Sequence, residues 1–119
     1  SIDYKTHLFG GKKCYKNNGQ DKINISPKDL ARKYEKLGFG EILLTSIDLE
    51  GTKKGYDFET LKEVVDCVNI PVVINGGAKN RSELIKAIDI YKASGSAAGA
   101  LFCLQGVHDA VLISYNNLN

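Results

Sequence analysis

The chain has 119 residues, 43% apolar, 25% charged and 8% aromatic, a balance that excludes disordered and fibrous classes and suits one globular domain over residues 1–119. A formal net charge of +2 is too small to predict nucleic-acid binding. No run approaches the ~20 consecutive apolar residues of a membrane span, and the N-terminus shows no basic-then-apolar signal peptide.

Ser1-Ile2-Asp3-Tyr4 opens the chain as a short strand, and the absence of methionine suggests a fragment or a processed product. A long segment ending at Ile25 follows, with room for a small hairpin around Asn17-Asn18-Gly19. Ser26 can cap a helix that begins at Pro27, carries Leu30, Tyr34 and Leu37 at helical spacing, and stops at Gly38. Glu41-Ile42-Leu43-Leu44-Thr45 has the apolar character of a strand buried on both faces. Asp57 caps a second helix with a stripe of Phe58, Leu61, Val64, Val65 and Val68, and Pro71-Val72-Val73-Ile74-Asn75 is the next strand. Asn80-Arg81-Ser82-Glu83 resembles a capping box and precedes Leu84, Ile85, Ile88 and Tyr91. A last strand is expected over Ala97 to Phe102, then a weaker helical or irregular tail from Val107 to Ile113.

Such alternation implies parallel pairing with right-handed crossovers. A doubly wound open sheet and part of an eight-fold barrel both satisfy it. A complete barrel takes about 250 residues, so four βα units fit this length and half a (βα)8 barrel is the expected fold.

In parallel α/β folds ligands collect at the carboxyl ends of the strands. Here those ends supply Asp3, Thr45 to Thr52, Asn75 to Ala78 and Gly99 to Phe102. Glycines recur among them, as Gly51, Gly76-Gly77 and Gly99, where backbone amides can approach a phosphate; tight turns alone would also select glycine. Asp3 is either a catalytic carboxylate or an exposed polar residue at a strand end. Asp48 and Glu50 can orient ligand hydroxyls or structure their loop. Glu41 precedes its strand and so falls on the opposite, stability-bearing rim. His7 and His108 have no cysteine or serine at a recognisable spacing. Cys14, Cys67 and Cys103 are odd in number and widely spaced, which disfavours a disulfide framework or a metal site and fits reduced thiols in a cytoplasm; Cys67 and Cys103 suit packing roles. Residues 1–22 hold Lys5, Lys12, Lys13, Lys16 and Lys22 against Asp3 and Asp21, a net +3 that either attracts an anionic small molecule or forms a solvated loop.

Gly38-Phe39-Gly40-Glu41-Ile42-Leu43-Leu44-Thr45-Ser46-Ile47-Asp48, continued by Gly51-Thr52-Lys53-Lys54-Gly55-Tyr56-Asp57, closely resembles the cyclase subunit of imidazole glycerol phosphate synthase. Pro71-Val72-Val73-Ile74 with Gly76-Gly77-Ala78 is similar to the next strand and phosphate loop of that family, and the likeness covers essentially the whole chain. The resemblance implies strands five to eight of a (βα)8 barrel. It also implies formation of imidazole glycerol phosphate and an aminoimidazole carboxamide ribotide from a phosphoribulosyl-formimino precursor and ammonia, in histidine biosynthesis, with no cofactor. By that resemblance Asp3 is one of two acid–base aspartates, the other belonging to the barrel half not present in this sequence. Thr45 matches a substrate contact, and Glu50, Gly51, Thr52, Asn75, Gly76, Gly77, Gly99 and Ala100 match positions around the substrate and its phosphate. Glu41 matches a charged ring through which ammonia from a glutaminase partner passes.

Several residues depart from the family pattern: Glu50 stands in place of aspartate, Asn75 and Ala100 in place of serine, and Asn17 to Ile25 lacks a threonine-glycine pair. Gly106 to Tyr115 is similar instead to the tail of paralogues found with surface-polysaccharide genes, which implies a glutaminase-coupled subunit for amidating a nucleotide-linked sugar, catalytic or only channelling ammonia. An isolated half-barrel has two open parallel edges and an apolar face, so self-association is expected.

Overall fold

The computed structural model describes residues 1–17 and 19–97, and among them strands and helices follow the order β1 (Ile2–His7), β2 (Gly11–Lys16), β3 (Asp21–Lys22), α1 (Pro27–Lys36), β4 (Ile42–Ser46), α2 (Phe58–Cys67), β5 (Val72–Asn75), α3 (Arg81–Asp89) and β6 (Gly95–Ser96). They form one sheet in the order β3-β2-β1-β4-β5-β6. β1, β4, β5 and β6 are parallel, while β2 and β3 add antiparallel strands outside β1. β1, β4 and β5 are strands expected from sequence.

Each helix starts where a polar side chain can replace the missing backbone acceptor. Ser26 Oγ accepts from the Asp29 amide at 3.3 Å, Asp57 Oδ1 from the Thr60 amide at 3.1 Å, and Asn80 Oδ1 from the Glu83 amide at 3.0 Å. The return bond at α3 differs from a standard capping box, since Glu83 Oε1 accepts from the Lys79 amide one residue before the cap. Gly38 ends α1 with φ +92°, a left-handed geometry in which its amide donates to the Glu35 carbonyl at 3.0 Å.

The core lies between the helices and one face of the sheet. Ile2, Tyr4, Ile42, Leu44, Val72 and Ile74 alternate onto that face and meet Leu30, Leu61, Val64 and Leu84. Complete burial of each such aliphatic side chain contributes about 1.5–3 kcal/mol. Two stripe assignments fail at helix ends and edges: Leu37 is 65% exposed because it caps α1, and Ile85 is 42% exposed because Leu84 and Ala87 carry the inward face of α3. β4 is also not covered on both faces, for Leu43, on the face away from the helices, is 39% exposed.

The N-terminal region holds one more turn than expected. The hairpin near Asn17–Gly19 is present as the β2–β3 turn, with Tyr15 opposite Lys22 and Lys16 opposite Asp21. A second hairpin joins β1 to β2 through Leu8, Phe9 and Gly10, and Gly11 resumes the chain with φ +67°. The Gly10-Gly11 pair is the signal that marks it, and this turn carries β1 past the expected end at Tyr4 to His7. β6 begins at Gly95, two residues before the strand expected over Ala97 to Phe102. Most of that strand, with Gly99, Ala100, Cys103, His108 and the tail, lies outside the described residues.

Candidate active site

Strand register sets the site. Asp3 is paired with Thr45 between β1 and β4, and Thr45 with Asn75 between β4 and β5. Parallel neighbours in register point to the same face, roughly 4.8 Å apart, so the three side chains form a row across adjacent strands. Their alternating neighbours Ile2, Tyr4, Leu44, Ser46 and Ile74 face the helices, which turns Asp3, Thr45 and Asn75 to the opposite face. Asn75 Nδ2 donates to Thr45 Oγ1 at 3.4 Å, and Ser1 Oγ donates to Asp3 Oδ1 at 2.8 Å.

This row lines a cleft of about 340 Å³, together with Ser1, Gly19, Leu43, Ile47 and Glu50. Four residues singled out from sequence, Asp3, Thr45, Glu50 and Asn75, therefore meet in one place. Thr45 is 6% exposed, so its hydroxyl stands fixed at the cleft floor, whereas Glu50 lies exposed at the rim. Leu43 provides the apolar contact below the row. The arrangement can bind a polar molecule and place one carboxylate against it, with a neutral hydroxyl and amide to orient its substituents.

The glycine and threonine positions behave differently. Gly51 and Thr52 belong to the exposed turn after β4, outside the cleft lining. The Thr52 hydroxyl donates to the Leu49 carbonyl at 2.7 Å and accepts from the Lys54 amide at 3.2 Å, so it closes the turn. Gly76 and Gly77 are buried with φ +96° and +100°. A Cβ on Gly76 would stand 2.6 Å from the Ser46 carbonyl oxygen, and one on Gly77 would strike the Gly55 carbonyl oxygen and the Leu49 side chain. The Gly77 carbonyl accepts from the Gly55 amide at 2.6 Å, which ties the β5–α3 loop to the β4–α2 loop. Close packing of two loop backbones accounts for this pair of glycines. Tyr56 extends the tie by donating its phenol to the Ala97 carbonyl, and burial raises the pKa of that phenol.

A second polar cluster, missed from sequence, lies on the helix side. Burial by itself would raise the Asp57 carboxyl, but hydrogen bonds from the Thr60 hydroxyl and amide, the Tyr4 phenol and the nearby Lys12 ammonium hold it below the usual range. Tyr4 Oη donates to Oδ2 at 2.9 Å and Lys12 Nζ lies 3.5 Å from the same atom. The cluster fixes the start of α2, and with it the loop from Gly51 to Tyr56, against the β1–β2 hairpin. Alternation along β1 is the signal that could have found Tyr4: it shares a face with Ile2. Burial also pushes the Cys14 thiol up to about 12, with the Asp3 carboxylate adding to the rise, so this thiol is a packing group.

Glu41 stands exposed just before β4, four residues from Thr45 and thus at the other end of the strand from the row. Among the described residues, no three His, Cys, Asp or Glu gather as a metal site, and no helix is long and apolar enough to cross a membrane.

Comparison with known proteins then decides the family. Residues 1–108 match the family model described as "Histidine biosynthesis protein". The chain belongs to that family. Across its whole length it is 39% identical to the "Putative imidazole glycerol phosphate synthase subunit hisF2" of Pseudomonas aeruginosa, covering 47% of that protein. It is 40% identical over 98% of its length to the similarly named HisF of Leptospira interrogans, covering 46% of it. The "Imidazole glycerol phosphate synthase subunit HisF" of Lactococcus lactis subsp. cremoris strain MG1363 is 41% identical over 86% of the chain, which covers 40% of that relative. The chain thus spans about half the length of the curated relatives it matches. The family fold is a (βα)8 barrel, and β1, β4, β5 and β6 are parallel strands of part of one. In that barrel, the face bearing Asp3, Thr45 and Asn75 is the inner one.

Proposed function

We propose that the protein carrying this chain is the cyclase subunit of imidazole glycerol phosphate synthase. It forms imidazole glycerol phosphate and aminoimidazole carboxamide ribotide from a phosphoribulosyl-formimino precursor and glutaminase-derived ammonia, in the cytoplasm. One observation carries the proposal: the Asp3 carboxylate, which lies near the start of β1 and not at the carboxyl end expected of it because that strand runs on to His7, shares a row and a cleft with Thr45 and Asn75 at the carboxyl ends of β4 and β5. Ring closure and elimination require protons to move on both sides of the substrate, and a positioned carboxylate does this by general acid–base catalysis. Asp3 serves one side; the other side requires a second group from the rest of the protein. Thr45 and Asn75 orient the substrate's polar substituents, and Glu50 faces its hydroxyls from the rim.

The phosphate is assigned to the loops holding Gly51, Thr52, Gly76 and Gly77, with Gly99 and Ala100 assigned to it from the sequence resemblance alone. Support comes from the Gly55–Gly77 tie, which holds the two loops together beside the cleft-lining ends of β4 and β5. The glutaminase is assigned to the opposite rim, with Glu41 at the ammonia entrance. Leu37, Phe39 and Ile90 are exposed by 65%, 55% and 63% in segments that lead into β4 and β6, and an apolar surface on that rim suits a protein partner.

A second assignment, an ammonia-channelling paralogue for amidation of a nucleotide-linked sugar, is favoured by one feature. The sequence from Gly106 to Tyr115 is similar to the tail of paralogues found with surface-polysaccharide genes. Assay of the full-length protein with the precursor and an ammonium salt separates the two. Imidazole glycerol phosphate formation is the expected result, and its absence in a folded protein would transfer the assignment to the paralogue.

A further inference from the structure

One wall of the cleft does not come from the parallel strands at all. Gly19, in the β2–β3 turn, lines the cleft alongside Asp3 and Thr45, although β2 and β3 lie on the far side of β1 from β4. For Gly19 to reach the cleft, the turn must fold over the end of β1, and it does so against Ile47, whose Cδ1 would lie 3.4 Å from a Cβ on Gly19. Gly19 has φ +82° and Asn17 φ +54°, so the turn passes through two left-handed residues. The Asn17 side chain donates to the Asp21 carboxylate across it.

Lys5 is the contact from β1 that holds this turn. Its Nζ donates to the Gly19 carbonyl at 3.0 Å and sits 4.6 Å from the centroid of the Tyr15 ring. Tyr15 is fixed in turn by its hydroxyl, 2.7 Å from His7 Nε2, with the two rings stacked at 5.8 Å. A charged donor to a carbonyl, backed by a cation–π contact, is a stronger tie than a neutral turn bond. Lys5 also follows Asp3 by two residues on the same face of β1, so the tie is made beside the reactive carboxylate.

We infer that Lys5 is a positioning residue: it latches the β2–β3 turn across the cleft and so shapes the wall that a substrate meets opposite Thr45 and Asn75. The basic charge of the first 22 residues thus has a local use in one ammonium directed to the protein's own backbone. This inference rests on the cyclase assignment only for its kinetic readout; the latch itself is independent of it.

The test compares Lys5→Met, which keeps the apolar stem over Tyr15 and removes the donor, with Lys5→Arg, which restores a donor. Both are made in the full-length protein. Amide hydrogen exchange over residues 19–22 should quicken about tenfold or more in Lys5→Met, while β4 and β5 keep the parent's protection. In the cyclase assay with ammonium, KM should rise about tenfold and kcat stay within about threefold, because binding geometry is lost and the acid–base group is not. Lys5→Arg should recover both. Unchanged exchange would refute the latch. Faster exchange with an unchanged KM would show that the turn is no wall, and a fall in kcat alone would place Lys5 in the chemistry instead. A parent without cyclase turnover would overturn the proposed function, with exchange still deciding the latch.

Discussion

Replacing Tyr4 by phenylalanine isolates the network that fixes the start of α2. The phenol is 1% exposed and donates to Asp57 Oδ2 at 2.9 Å, so its removal leaves the ring packed and deletes one bond to a charged acceptor. Such bonds contribute about 1.5–3 kcal/mol. Asp57 keeps two donors from Thr60 and the Lys12 ammonium at 3.5 Å, so the carboxylate is not orphaned and the loss belongs near the lower end, about 1.5–2 kcal/mol near pH 7. Acid supplies the signature. The folded carboxyl is held below its ordinary value, so its contribution is present above the unfolded aspartate value of about 3.9 and is lost as pH falls through the folded one. Urea unfolding of parent and Tyr4→Phe should therefore show a constant stability gap from about pH 8 down to about pH 5, shrinking only as pH falls below the ordinary aspartate range and the acceptor is neutralised. A gap below about 0.5 kcal/mol near pH 7, or one that persists unchanged in acid, would refute the network's role.

Gly77→Ala should cost about 2–5 kcal/mol, since the left-handed backbone and the collision with Gly55 and Leu49 act together. Gly51→Ala, at φ +78° with open space around it, should cost only about 1–2 kcal/mol; equal losses in thermal unfolding would contradict the packing account. The 119-residue chain on its own should self-associate through the sheet face that leaves Leu43 39% exposed and through its edge strands. Static light scattering that returned the monomer mass at micromolar concentration would contradict this.

The parallel part of the fold was legible because its signals are local and mutually consistent. Ser26, Asp57 and Asn80 each cap the helix expected of them, and the runs beginning at Ile42 and Val72 are strands. The shared row of the candidate residues Asp3, Thr45 and Asn75 was legible because parallel neighbours fall in register once the strands are identified, although Asp3 lies near the start of β1 and not at its end. Two things escaped. The β1–β2 hairpin has no apolar alternation to announce it, since Lys12 and Lys13 follow Gly11 directly. The use of Gly76 and Gly77 as packing glycines depends on where Ser46 and Gly55 lie, a contact between loops that are distant in sequence. Tyr4 was hidden for a similar reason, because its partner Asp57 is 53 residues away.

The decisive measurement is the turnover of Asp3→Asn in the full-length protein with ammonium as nitrogen donor. Asparagine keeps the size and the bond from Ser1 while removing the group able to take up and release a proton, so kcat should drop by about 10²–10⁴-fold with KM little altered. A variant that forms imidazole glycerol phosphate at the parent's rate would remove the carboxylate from the chemistry and leave the cleft a binding site without its acid–base group.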